Sequence, residues 1–277
     1  MREKECVIPE KANAVVIQRI EIAPGLIKLR VAPAGWELPD FTAGQYCHLG
    51  LPGSARRCQS SDDEEPGRDP NRLIVRAYSV ASSSVAKEYL EFYIALVRSG
   101  ELTPRIFDLK IGDHIWLSTR FSGLFTLSSV SYDYNVALIA TGTGVAPYMS
   151  MIRTEAAQER RHCFAVIHGA RHSWDLGYHS QLMTLARLSK RFAYIPVISE
   201  PQDEPVPWKG HTGLVESIWT GGALEESWGF RPSTRDTHIF LCGNPYMIDD
   251  MLKILTAEGY REDTRERPGQ IHLERYD

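Results

Sequence analysis

Two rhythms of apolar and polar positions divide this chain. Up to about residue 118 the apolar residues fall in short, often alternating runs: AVVIQRIEIA (14–23), LIKLRVA (26–32), QYCHLGL (45–51), RLIVRAYSV (72–80), YLEFYIALVR (89–98) and HIWLS (114–118). Val, Ile, Leu and Tyr dominate them, and turn residues such as Pro24-Gly25, Pro33-Ala34-Gly35 and Gly112-Asp113 lie between. That pattern predicts β-strands, and their close spacing predicts an antiparallel barrel or sandwich. Between Pro52 and Asn71 runs a polar stretch with Arg56-Arg57 and Asp62-Asp63-Glu64-Glu65. It carries too little apolar surface to offset its ordering entropy and reads as a mobile loop.

From Asn135 the rhythm changes. NVALIA (135–140), CFAVIHGA (163–170), FAYIPVIS (192–199) and THIFLCG (237–243) are continuous apolar runs. Helical patterns follow them: PYMSMIRTEAAQER, a segment near 178–190, and another from about Tyr246 to Glu258, stopped by Gly259. Apolar strands alternating with helices predict a parallel sheet covered on both faces. The polar link at Ser128–Asn135 is the expected boundary, giving domains 1–130 and 131–277.

Composition narrows the class. The 277 residues leave room for two cores, and 43% hydrophobic with 24% charged residues is the balance of a soluble globular protein. No apolar run approaches the roughly 20 residues of a membrane helix. MREKECVIPE has no apolar stretch after its charges, so no secretory signal and a cytoplasmic location are expected. A net charge of -4 argues against a general nucleic-acid binder. The five cysteines form no CxxC pair, which disfavours a disulfide framework or a structural zinc, and no bound metal is expected. The C-x4-C-x2-C run of a plant-type iron–sulfur cluster is absent, so any one-electron centre served by this chain belongs to another molecule.

Four segments carry candidate chemistry. Thr141-Gly142-Thr143-Gly144-Val145-Ala146-Pro147 follows a buried strand and opens a helix, where glycines and unpaired amides suit a pyrophosphate. It departs from the GxGxxG fingerprint of ordinary Rossmann dehydrogenases, and such a turn is structural at least as often as functional. Cys242-Gly243-Asn244-Pro245 ends a second buried strand, where open parallel sheets bind ligands; alone, it also reads as a buried cysteine before a turn. In Arg76-Ala77-Tyr78-Ser79-Val80, alternation puts Arg76, Tyr78 and Val80 on one face. A cation, a flat ring and a hydroxyl there suit a planar, phosphate-bearing ligand, or simply an edge strand. Gly100-Glu101-Leu102-Thr103-Pro104 is a further helix start, an anion site or a plain cap.

In their order, RAYSVASS, GELTP, ATGTGVAP, HGAR and CGNPYM resemble the ferredoxin–NADP reductase superfamily, most closely its bacterial ferredoxin/flavodoxin reductases. The resemblance runs from Phe41-Thr42-Ala43-Gly44-Gln45 to GQIHLERYD at the end. It implies an antiparallel β-barrel that binds FAD, followed by an α/β parallel-sheet domain that binds NADPH or NADH. Arg76 would pair with the FAD pyrophosphate, Tyr78 would lie on the isoalloxazine, and Ser79 would reach flavin N5, with Ala77 and Val80 in the same segment. Tyr93, Glu101, Leu102 and Thr103 would line the rest of FAD. Thr141, Gly142, Thr143, Gly144, Val145 and Pro147 would cradle the nicotinamide cofactor. Cys242 would stand beside its ring, followed by Gly243, Asn244 and Pro245. Tyr276 would cover the flavin face that nicotinamide must occupy, although Asp277 stands where relatives often carry a second aromatic. Glu274 would aid proton transfer or orientation, or be a solvated acid.

Arg171 matches a 2'-phosphate ligand of NADP-selective members, whereas Glu200 and Leu214 stand where many relatives have arginine. Relaxed discrimination or NADH preference is therefore expected, with Lys209 and His211 as further possible helpers of NADP. The implied reaction moves a hydride between nicotinamide and flavin, then single electrons to ferredoxin or flavodoxin, with Arg261, Arg265 and Arg267 as candidates for docking that carrier. A monomer is expected. A stand-alone flavin or ferric reductase, a flavin-binding electron-transfer subunit and a non-catalytic dinucleotide sensor are the alternatives.

Overall fold

The computed structural model of the chain describes residues 12–64, 69–155 and 162–275. They form two compact units, one of the described residues up to Leu124 with Met149–Thr154, the other of Phe125–Tyr148 with the described residues from Glu155 onward.

The first unit is built on six antiparallel strands: β1 (Ala14–Ala23), β2 (Leu26–Pro33), β3 (Tyr46–Pro52), β4 (Leu73–Ser79), β5 (Leu90–Ala95) and β6 (His114–Leu117), in the order β4-β3-β6-β1-β2-β5. The Ala81 amide donates to the Glu91 carbonyl at 2.8 Å, so the chain leaving β4 meets β5 and the sheet curls into a barrel. Alternation drives this, with Val16, Leu29, Leu49 and Phe92 fully buried inside. Helix α1 (Thr103–Asp108) carries Pro104 in its first turn and adds Ile106 to the same core.

The described part of the loop after β3, up to Glu64, is held where the sequence reads as mobile. The Arg105 side chain, 2% exposed, donates to the Gly53 and Glu101 carbonyls and grips both oxygens of Glu64. Arg57 donates to the carbonyls of Gly100, Asp62 and Arg98. Charge-assisted hydrogen bonds replace the apolar burial that this segment lacks.

The second unit holds six parallel strands: β7 (Asn135–Thr141), β8 (Phe164–Ala170), β9 (Phe192–Ile198), β10 (His211–Thr212), β11 (Thr237–Gly243) and β12 (Ile271–Arg275), in the order β10-β9-β8-β7-β11-β12. Helix α2 (Ala146–Glu155) begins in this unit, which also contains α3 (His179–Leu188), α4 (Val215–Thr220), α5 (Ala223–Trp228) and α6 (Pro245–Ala257). Val136 to Ala140 are fully buried, as a central parallel strand requires. Phe125 packs on Tyr148 and Phe240, their ring centroids 5.9 and 5.3 Å away, which anchors the start of the unit. The sequence pattern does not reveal β12 or the six-residue helices α4 and α5. No described helix is long and apolar enough to cross a membrane.

Candidate functional site

The parallel sheet reverses its strand order beside β7: β8, β9 and β10 extend to one side, β11 and β12 to the other. Such a switch point opens a crevice beyond the carboxyl ends of the two central strands. Thr141 and Cys242 sit at those ends, on β7 and β11. The two ends are sewn together. The Asn244 amide donates to Thr141 Oγ1 at 2.8 Å, and the buried Tyr148 hydroxyl donates to the Ile139 and Phe240 carbonyls, 2.9 and 2.8 Å away.

The glycines divide by task. A Cβ on Gly144 would overlap the Cys242 carbonyl, and one on Gly243, at φ +130°, would overlap Thr141. These two exist for the close approach of the turns. Gly142, at φ +54°, has nothing within 4 Å of where a Cβ would stand and leaves open space at the crevice. A single 3-10 turn, Gly142–Val145, then leads into α2, with Val145 and Pro147 buried and Thr143 half-buried. On the other side Asn244 caps α6, accepting from the Tyr246 amide at 2.8 Å, and Pro245 fills its first turn.

Cys242 is fully buried and its Sγ lies 3.7 Å from Glu274 Oε2. The β11–β12 register sets Glu274 directly beside it. Glu274 is half-buried, not a solvated acid. Tyr276 lies outside the described residues.

Beyond β8 and β9 a charged cluster surrounds His172. Its Nδ1 is 3.1 Å from Asp175 Oδ2, and its Nε2 is 3.3 Å from Glu200 Oε2 and 3.5 Å from Asp203 Oδ2. The ring stacks on Trp174 at 4.4 Å. Desolvation alone would lower the His172 pKa, but hydrogen bonds and charge from Asp175, Asp203 and Glu200 raise it above the ordinary value. Arg171 is exposed on the same segment, and its carbonyl accepts from the Glu200 amide at 2.9 Å. Leu214 is 61% exposed. One residue before Gly169, on β8, His168 is fully buried, its Nε2 3.1 Å from the Gly142 carbonyl.

In the barrel, Arg76 is half-exposed on β4 and its Nη2 meets Glu101 Oε2 at 2.6 Å. Tyr78 is half-buried and meets Phe92 edge-on at 6.4 Å; burial pushes its phenol pKa up, partly opposed by Arg76. Ser79, Val80 and Tyr93 are buried and Ala77 is exposed. Leu102 is buried, and the Thr103 hydroxyl is taken up by the Val97 backbone, accepting from its amide and donating to its carbonyl. A guanidinium, a phenol face and a serine hydroxyl in succession form a donor set that fits a planar diphosphate such as FAD. The open face of Gly142 at the switch point fits a nicotinamide dinucleotide in the same way.

His168 and His172 are the residues that sequence reasoning passed over. Both flank Arg171 in the HGAR segment, and a histidine at the end of an apolar strand was the available signal.

Comparison with known proteins agrees with this geometry. The oxidoreductase NAD-binding domain family matches residues 138–253. The flavodoxin/ferredoxin–NADP reductase of Escherichia coli is 30% identical over 237 residues, 85% of this chain and 88% of that protein. The ferredoxin–NADP reductase of Azotobacter vinelandii is 29% identical over 245 residues, 85% of this chain and 86% of that one. A crystal structure of a ferredoxin NADP+ reductase from Neisseria gonorrhoeae with bound FAD and NADP matches with a TM-score of 0.78 at 23% identity, covering 96% of this chain and 98% of that one. With 30% identity across most of both sequences, this chain belongs to the flavodoxin/ferredoxin–NADP reductase family.

Proposed function

We propose that this chain is an FAD-dependent ferredoxin– or flavodoxin–NAD(P)H reductase, with FAD held by residues 1–130 and the nicotinamide dinucleotide by residues 131–277. The observation that carries this reading is the sewn switch point with Gly142 left open, in a chain that aligns with such reductases over 85% of its length. Bound FAD supplies the chemistry, exchanging a hydride with nicotinamide and single electrons with a carrier protein.

The chain's own residues bind and orient. Arg76 holds the FAD diphosphate, and its half-exposed guanidinium, which pairs with Glu101, supports that role. Tyr78 offers a ring face for stacking, Ser79 a hydroxyl for flavin N5, and Tyr93, Leu102 and Thr103 line the remainder. The Thr141–Pro147 turn holds the nicotinamide diphosphate. Cys242 limits the nicotinamide position, with Glu274 holding its thiol. A near-attack geometry between two rings is what such groups provide.

A ferredoxin or flavodoxin is the carrier, and the exposed Arg261, Arg265 and Arg267 support docking of an acidic partner. The protein acts as a cytoplasmic monomer. Anaerobic stopped-flow reduction of the purified protein, followed at the flavin band with NADH and with NADPH, tests the reading. Rapid bleaching by either cofactor, followed by reoxidation with ferredoxin or flavodoxin, is expected. A bound flavin that neither cofactor reduces points instead to an electron-transfer subunit.

A further inference from the structure

His168 is the one fully buried histidine of the second unit that points at the crevice turn. Its Nε2 lies 3.1 Å from the Gly142 carbonyl, and its Nδ1 lies 3.5 Å from the Tyr194 hydroxyl. A carbonyl only accepts, so Nε2 carries the proton and Nδ1 accepts from Tyr194. Burial pushes the pKa of this ring down to about 4, only partly offset by the bond to Gly142, and the ring is neutral near pH 7. Tyr194 is in turn backed by His179, at 5.6 Å between rings, and His179 by Trp208 at 5.9 Å. The tautomer and the ring position are both fixed from behind.

We propose that His168 is a positioning residue for the nicotinamide-dinucleotide turn: by holding the Gly142 carbonyl inward it aims the Thr143 amide outward into the crevice. A trans peptide is planar, with its C=O and N–H antiparallel. The carbonyl of Gly142 and the amide of Thr143 belong to one such plane. Gly142, at φ +54° with no Cβ, has the backbone freedom to turn that plane over. The imidazole removes that freedom, because turning the carbonyl outward would leave a buried N–H without its acceptor. The β7–β8 register, which pairs Ala140 with His168, places the ring under the residue that needs it. The inference rests on the proposed role of this turn and adds the group that sets its orientation.

The test compares wild type with His168→Phe, His168→Gln and His168→Asn as FAD-loaded proteins. Binding of NADP+ and NAD+ is read by calorimetry, KM and kcat are measured with ferricyanide as acceptor, and thermal melts report folding. Gln carries an amide N–H at the same bond count from Cβ as His Nε2, whereas Asn falls one bond short. We expect His168→Phe to weaken dinucleotide binding about tenfold and raise KM in parallel with kcat nearly unchanged, the size of one lost hydrogen bond. His168→Gln should recover to within about threefold of wild type by the same bond count. A folded Phe variant with wild-type affinity overturns the proposal, as does a Gln variant no better than Phe. If the Phe variant does not fold, the Gln and Asn variants decide: tighter binding by Gln supports the assignment, and equal binding overturns it. A wild-type protein that binds neither dinucleotide removes the proposed function itself, and the inference with it.

Discussion

The carboxylate of Glu200 is not a loose surface charge: it sits 3.3 Å from His172 Nε2, within a group that includes Asp175 and Asp203. One imidazole and the exposed Arg171 do not neutralise three carboxylates. A 2'-phosphate brought to the ends of β8 and β9 would meet net negative charge, while a 2'-hydroxyl could donate to Glu200. Replacing Glu200 with Arg exchanges that repulsion for a charge-assisted bond, and the ratio of kcat/KM for NADPH over NADH is expected to rise about tenfold or more. Initial rates with the two cofactors measure it, and an unchanged ratio would mean that Glu200 lies away from the 2' position. Gly243 makes a second claim at this scale. Its φ of +130° and its contact with Thr141 leave no room for a methyl group, so Gly243→Ala should cost about 1–3 kcal/mol in urea denaturation. The importance of these glycines is legible in the motifs, but their tasks are not. Whether a glycine faces a ligand or another turn depends on the neighbouring strand, about a hundred residues away for β7 and β11 by chain order. The same holds for His168, whose bond to Gly142 exists only because of strand register.

At the scale of elements, Glu91 ties the barrel together. It is 2% exposed, accepts from Arg30 Nε at 2.7 Å and from Arg153 Nη1 at 2.7 Å, and Arg153 also donates to the Ala81 carbonyl. Removing one member of a buried ionic group leaves the others uncompensated, so Glu91→Ala should cost about 3–5 kcal/mol, visible as a lower denaturation midpoint. A loss no greater than that of an exposed substitution would show that water screens this group. The same network depresses Lys28: desolvation, set against the attraction of Glu91 and joined by repulsion from Arg153 and Arg30, brings its pKa to about 8. Six barrel strands and four of the parallel strands were legible because each runs four residues or more with unbroken or alternating apolar character. IHLER (β12) was not, because two charges and a histidine dilute an edge strand that is short. VESIWT and ALEESW (α4 and α5) are too short for a helical period to show, and only Gly213, Gly221, Gly222 and Gly229 mark their limits. The hydrogen bonds that hold the loop after β3 as far as Glu64 were not legible either, since a buried arginine that gathers carbonyls leaves no trace in hydropathy.

At the scale of the whole molecule, the buried histidines set its acid limit. His168 titrates near 4 in the folded chain instead of near 6.5, and desolvation lowers His238 and His272 as well, His272 further repelled by its neighbour His238. Between those values the unfolded chain binds protons that the folded one does not, so stability holds above about pH 6.5 and falls as pH drops toward 4. His168 alone contributes on the order of 3 kcal/mol to that loss. Melting temperatures recorded from pH 7.5 to 4 should show the decline, and His168→Gln should flatten it; parallel curves would mean that carboxylates account for the whole effect. The order of strands has a consequence for synthesis. The ribosome completes β7, β8 and β9 long before β11, yet β7 lies between β8 and β11 in the finished sheet. Until Thr237–Gly243 emerges, one edge of NVALIAT, among the most apolar segments of the chain, has no strand beside it. A nascent chain in that condition offers a template for unwanted pairing, and the second unit can close only when nearly all of its residues are available.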